Sequence, residues 1–192
     1  LTGSSVPAVL DESMHTGTGR IVRMQMRHMS LYESGDSSGQ VSLMDLFDGK
    51  DISAVNHDSI EKIAFLICRG GWPTALNRSE KIALKQAFDY YDAVVKDDIS
   101  RVDNLKRNQE RTKRVMRSYA RNVATQSSLE TIRADVISND IETFDKESLY
   151  GYLNALKKIF VIEDSPAWNP NLRSKVAIRT ADTRYFGFPV RL

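Results

Sequence analysis

Residues 20–26 set Ile21, Val22, Met24 and Met26 among Arg20, Arg23 and Gln25, a period near two that predicts a half-buried strand. Upstream, Leu1-Thr2-Gly3-Ser4-Ser5 reads as the end of another strand. The run Glu33-Ser34-Gly35-Asp36-Ser37-Ser38-Gly39 predicts a surface loop, and a short apolar turn follows at Leu43, Leu46 and Phe47 before Asp48-Gly49. From there the period lengthens to that of a helix. Asp58-Ser59-Ile60-Glu61 spells a capping box ahead of apolar residues at 60, 63, 64, 66 and 67, which predicts a helix over about 59–69. Gly70-Gly71 ends it as a turn, and Trp72-Pro73 redirects the chain.

A longer helix opens at Asn77 and Glu80, carries Ile82, Leu84, Phe88, Tyr91, Val94 and Val95, and fades into Asp97-Asp98-Ile99. Beyond a polar break at 100–107 come three more helical patterns. The first, about 108–126, is expected to bury Val115, Met116, Tyr119 and Val123. The second is capped by Ser127-Ser128 and ends near Val136-Ile137. The third is capped by Asp145, with Leu149, Tyr152, Leu153 and Leu156 at helical spacing. It runs into an expected strand, Ile159-Phe160-Val161-Ile162, followed by a loop with Pro166 and Asn169-Pro170-Asn171, then Val176-Ala177-Ile178 and Tyr185-Phe186. Three helices followed by a small sheet predict a winged helix-turn-helix. The expected architecture is mainly α with small β: strands at 1–29, a helical lid or linker at 30–100, and a winged-helix domain at 101–192.

Charge sharpens this division. The 192 residues carry a net charge of +2, yet residues 1–100 hold 10 Lys/Arg against 14 Asp/Glu, and residues 101–192 hold 17 against 11. Residues 101–121 alone carry eight bases, Arg101, Lys106, Arg107, Arg111, Lys113, Arg114, Arg117 and Arg121, against Asp103 and Glu110. That footprint points to a polyanion partner for the second half. A winged helix presents its last helix to the major groove and its wing to the adjacent backbone. The expected DNA contacts are therefore Arg111 and Arg114 on the first helix, Lys146, Ser148, Tyr150, Asn154 and Lys157 on the third, and Arg173 and Lys175 on the wing. The bland alternative is a solvated helical face, with the module serving protein contacts through Trp72, Tyr150, Trp168 and Phe188.

Other motifs carry less. Gly35-Asp36-Ser37-Ser38-Gly39 matches G-x-S-x-G, but no apolar strand precedes it and no helix starts within it, so a loop is expected. His15, His28 and His57 lack metal-ligand spacing, and Asp97-Asp98 reads as a solvated helix end, so no metal site is expected. No G-x-x-x-x-G-K-[ST] occurs, and His15-Thr16-Gly17-Thr18-Gly19-Arg20 is no substitute for a phosphate-cradling loop. One cysteine, Cys68, excludes an internal disulfide and reads as a reduced core thiol. With no apolar run near ~20 residues, the expectation is a cytoplasmic protein without membrane contact.

Taken together, Leu1-Thr2-Gly3-Ser4-Ser5, Thr18-Gly19-Arg20-Ile21 and Met29-Ser30-Leu31-Tyr32-Glu33 resemble the post-Walker-B portion of uncharacterised prokaryotic ATPases of the AAA+ superfamily. Gly70-Gly71-Trp72-Pro73, Asp98-Ile99 and Tyr152-Leu153-Asn154-Ala155-Leu156 continue the likeness into that group's C-terminal domain of unknown function. The resemblance implies that residues 1–29 are a remnant of the ATPase core. It places Ser4 at the sensor-one position, with Thr2 assisting, and Arg20 in a Gly-Arg motif facing the nucleotide; an ordinary structural ion pair is the equal alternative for Arg20. It also implies a fragment, because the Walker segments and a C-terminal Asp-Pro and nuclease-like portion are missing. ATP, Mg and hydrolysis then belong to the parent, and this chain is expected to hold no cofactor. The expected function is DNA binding by the winged-helix module, and the alternative is protein interaction or homo-oligomer formation.

Overall fold

The computed structural model describes residues 26–138, 144–167 and 181–187. Helix α1 (Leu43–Phe47) is one turn capped by Ser42, whose hydroxyl accepts from the Asp45 N–H. Helix α2 (Ile60–Arg69) starts where Ser59 accepts from the Lys62 N–H, and it stops at Gly70, whose φ of 69° suits glycine. A short 3-10 turn, Pro73–Ala75, leads to α3 (Glu80–Ala93). Helix α3 passes through a π-helical turn, Val94–Asp98, into a last helical turn, α4 (Ile99–Arg101). The π turn has a packing consequence. Val94, Val95 and Ile99 all enter the core, and the wider π turn brings them onto a narrower arc than a regular 3.6-residue period would.

Helix α5 (Gln109–Arg121) is capped by Asn108, α6 (Leu129–Ser138) follows, and α7 (Lys146–Lys158) is capped by Asp145. Strands β1 (Ile162–Ser165) and β2 (Thr183–Phe186) pair antiparallel, with Glu163 opposite Tyr185 and Asp164 opposite Arg184. The far edge of β2 is also used. The Ala124 N–H donates to the Arg184 carbonyl at 2.8 Å, and the Arg184 N–H donates to the Thr125 carbonyl at 3.0 Å. Two residues thus oppose one, and Ala124 has a φ of 59°, the arrangement of a G1-type bulge. The link between α5 and α6 is thereby attached to the sheet. The protein is mainly helical with a small antiparallel sheet.

One buried cluster joins Val94, Val95 and Ile99 to Val115, Met116 and Tyr119 of α5, Ile132 and Val136 of α6, Phe144, Leu149, Tyr152, Leu153, Ala155 and Leu156 of α7 and its approach, and Val161 and Ile162. Residues on both sides of the 100–107 segment share it. Arg107 fastens that segment: its side chain, 8% exposed, makes a forked pair with Asp103 and donates to the carbonyls of Ile99 and Gly151.

Several sequence expectations are corrected. Helix α7 continues to Lys158, and Ile159–Val161 form its closing turn, so the strand starts at Ile162, three residues later than the apolar run suggested. Helix α5 ends at Arg121, and Val123 beyond it is exposed. On α3 the buried face is Ala83 and Ala87, whereas Ile82 and Phe88 are exposed. On α2 only Leu66 of the apolar set is buried, and Cys68 is half-buried rather than in the core. The expected strands at 1–5 and 176–178 lie outside the described residues, as does that at 20–26 except for Met26, which is in no strand and is 88% exposed.

Candidate nucleic-acid interface

Helix α7 packs Leu149, Tyr152, Leu153, Ala155 and Leu156 inward. The residues between them, Lys146, Glu147, Tyr150, Asn154, Lys157 and Lys158, are exposed along one side. The third helix therefore keeps a solvent-facing surface, with a hydroxyphenyl, a carboxamide and two terminal lysines on successive turns. Ser148 is the exception among the predicted contacts. Its N–H and its Oγ both donate to the Asp145 carboxylate, so it serves the helix cap.

The predicted cations differ in what holds them. Lys146 pairs with Glu130 at 3.2 Å and stands over the Tyr150 ring. Lys157 pairs with Asp164 at 2.6 Å. The Arg111 guanidinium lies over the Phe144 ring, just ahead of the α7 cap, and Arg114 sits half-buried one turn further on. Arg173, Lys175, Ser4 and Arg20 lie outside the described residues. Several of the bases counted along the chain are paired locally: Arg107 with Asp103, Lys113 with Glu110, Arg121 with Asp135, and Arg133 with Glu130. The ion pairs among the described residues do not include Arg101, Lys106, Arg117 or Lys158.

Beneath the end of α7 lies a buried polar centre. The Asp164 carboxylate, 5% exposed, accepts from Arg184 at 2.6 Å, from Lys157 at 2.6 Å and from the Tyr119 hydroxyl at 2.5 Å. Arg184 also donates to the Ser127 carbonyl. Burial works against the ionised form of Asp164, but the bonds from Lys157, Tyr119 and Arg184 outweigh it and hold the carboxyl below the ordinary range. Burial, then the Asp164 bond, push the Tyr119 hydroxyl well above its ordinary value, so it remains a donor. These four side chains tie α5, α7, β1 and β2 into one rigid corner. Above it, Lys157, Phe160, Ile162, Glu163 and Asp164 line a shallow depression of about 220 Å³. Glu163 is held there by a bidentate pair with Arg27.

The sequence profile of a family described as a domain of unknown function, DUF8612, matches residues 60–187. The chain belongs to this family. The DUF8612 match starts at the first residue of α2 and closes just past β2, so it includes the α7 face, the Asp164 centre and the depression. Helix α1 precedes it. No curated protein and no solved structure matches the chain.

Outside the DUF8612 region, the Gly35–Gly39 pattern forms an anchored turn. Asp36 pairs with Arg69 at 2.8 Å and with Lys62 at 3.2 Å, and it accepts from the Ser34 hydroxyl. Trp72 is half-buried: its ring packs against His28 at 4.6 Å and Tyr90 at 4.8 Å and contacts the core. It therefore leaves the set proposed for protein contact, of which Trp168 and Phe188 lie outside the described residues and Tyr150 is exposed. The exposed apolar surface is elsewhere, on Leu43, Met44, Leu46 and Phe47 of α1 and on Ile60, Ile63 and Ile67 of α2. Among the described residues no group of His, Cys, Asp and Glu is placed to hold a metal ion, and no helix is long and apolar enough to cross a membrane.

The sequence missed the buried roles of Arg69, Arg107 and Arg184, because their partners stand at other elements or in a loop of no regular pattern. It also missed Phe160. The available signal was the absence of glycine where α7 must end.

Proposed function

We propose that this chain is the C-terminal portion of an AAA+-like ATPase, with a helical lid and a winged helix-turn-helix module that binds DNA. Support for the module comes from its order of elements: α5, a bulged segment bonded to β2, α6, α7, then the β1–β2 hairpin. The bonding of 124–125 to the free edge of β2, with β1 on its other edge, supports this reading, since a winged helix sets its strands in that order. The observation that carries DNA binding is the outer side of α7, where Tyr150, Asn154, Lys157 and Lys158 are exposed while the opposite side fills the core. Lysines supply phosphate neutralisation, and Asn154 suits a base edge. Ser4 and Arg20 belong to nucleotide sensing in the same proposal. The chain contains no phosphate-cradling Walker A pattern, and no hydrolytic step is assigned to it.

The test is a fluorescence-anisotropy titration of a labelled 20-base-pair duplex at several salt concentrations. With about four or five phosphate contacts, log affinity falls against log salt with a slope of about −4. Lys158→Glu weakens binding and flattens the slope by about one. No binding at low salt, or a flat response, removes the reading.

A second reading rests on the exposed apolar side chains of α1 and α2. Phe47 is 85% exposed and Ile60 81%, and Ile60, Ile63 and Ile67 share one face of α2. Self-association through this surface predicts a concentration-dependent oligomer by light scattering, abolished by Ile67→Glu. A monomer at all concentrations rejects it.

A further inference from the structure

Helix α7 ends in a closed turn made by two backbone bonds. The Val161 N–H donates to the Leu156 carbonyl at 2.9 Å, and the Phe160 N–H donates to the Lys157 carbonyl at 3.0 Å. This is the Schellman pattern, and it places Phe160 in the left-handed region with a φ of 59°. Glycine is the residue suited to that position, because an L side chain crowds the backbone there. A bulky ring in such a conformation is an outlier that needs a compensating role.

Core packing does not supply one. Phe160 is 47% exposed, while its neighbours Val161 and Ile162 are fully buried and anchor the turn without it. The turn is also held from the opposite side. The Gly187 N–H donates to the Val161 carbonyl, and the Gly187 backbone lies so close that a Cβ would fall 2.3 Å from the Phe160 carbonyl oxygen. The molecule therefore fixes a strained backbone and leaves its aromatic ring about half exposed.

The ring's surroundings define what it can meet. Phe160 forms a wall of the depression lined by Lys157, Ile162, Glu163 and Asp164. Both carboxylates are compensated, Asp164 by Lys157, Arg184 and Tyr119, and Glu163 by Arg27. Three cations, Lys157, Arg184 and Arg27, meet these two carboxylates, which leaves one positive charge in surplus there. A flat apolar face beside surplus positive charge matches a nucleobase with its phosphate, since every base has a π-face and every phosphate a charge.

We infer that Phe160 is a stacking residue for an unpaired base, with Lys157, which lines the same depression, meeting the adjoining phosphate. The preferred ligand is then single-stranded or locally unpaired nucleic acid. This rests on the reading that the α7 face meets nucleic acid, and it adds the class of strand that face selects.

The experiment compares a labelled 20-nucleotide oligo-dT with a fully paired duplex, by anisotropy, for wild type, Phe160→Gly, Phe160→Asn and Phe160→Tyr. Thermal melts accompany each titration. Loss of one stacked base predicts about tenfold weaker oligo-dT binding in Phe160→Gly and Phe160→Asn. The salt slope stays unchanged, because no cation is removed. Phe160→Tyr keeps the affinity. Glycine also relieves the left-handed strain, so Phe160→Gly melts higher than wild type while binding less. A residue that merely supports the fold cannot give that opposed pair of changes. Oligo-dT binding equal to wild type in Phe160→Gly, or a lowered melting temperature with lost binding, overturns the inference while the interface reading stands. Wild type that binds neither oligonucleotide overturns both.

Discussion

The Asp164→Asn substitution tests whether the corner beneath α7 is held by a buried charge. Asparagine keeps the volume but removes the negative charge from a site that is 5% exposed and receives bonds from Arg184, Lys157 and Tyr119. Arg184, itself 9% exposed, then loses its counter-ion while remaining buried. Removing one partner of a buried pair costs about 3–5 kcal/mol, and the asparagine carbonyl still accepts one bond, so a loss of about 2–3 kcal/mol is expected. In a chain of this size that lowers the melting temperature by roughly 6–10 °C, read by circular dichroism at pH 7. Lys157→Met is the comparison: its side chain is 44% exposed and Asp164 keeps Arg184 and Tyr119 as donors, so its loss costs less than Asp164→Asn. Acid provides an independent check. The folded-state pKa of Asp164 lies below its ordinary value, so its stabilisation is complete above the ordinary aspartate range and is lost as pH falls through and below it. Wild type and Asp164→Asn should therefore converge in stability as the solution is acidified. A melting temperature within 2 °C of wild type, or Lys157→Met costing as much as Asp164→Asn, refutes the buried-pair account.

The glycines of the second half should respond oppositely to alanine. At Gly151, inside α7, a Cβ meets nothing within 4 Å, so Gly151→Ala gains about 0.5–1 kcal/mol; at Gly187 it meets the Phe160 carbonyl, so Gly187→Ala loses stability, both measured by urea denaturation. Asp36 offers a second pH test. Burial opposes its charged form, but bonds from Arg69, Ser34 and Lys62 outweigh this and hold its pKa at about 2. Its stabilisation, about 2 kcal/mol, is present above the ordinary aspartate range and disappears between about pH 4 and pH 2; Asp36→Asn should remove that segment of the acid-unfolding curve.

Helix positions were legible because their start signals are local. Ser59, Ser128 and Asp145 each cap a helix through a side chain that reaches a backbone N–H three residues on, a relation written in adjacent residues. The inward side of α7 was legible for the same reason, since Leu149, Tyr152, Leu153 and Leu156 recur at helical spacing and are buried. Likewise the free side of that helix followed once its apolar side was known. The apolar period misled on α2 and α3, because a stripe such as Ile60, Ile63 and Ile67 says that a face is hydrophobic and nothing about which element covers it.

What the amino-acid order determined by itself was where the helices begin and that the second half carries excess positive charge. Only tertiary structure decided which of those charges are paired within the fold. Asp164 meets Arg184 across twenty residues and Tyr119 across forty-five, and Arg27 meets Glu163 across one hundred and thirty-six. Tertiary structure alone also left the Phe160 ring half exposed at the end of α7. A count of bases treats every arginine alike, whereas folding sorts them by distance to a carboxylate. Electrostatic energy depends on that distance and on burial, neither of which is a property of the linear chain.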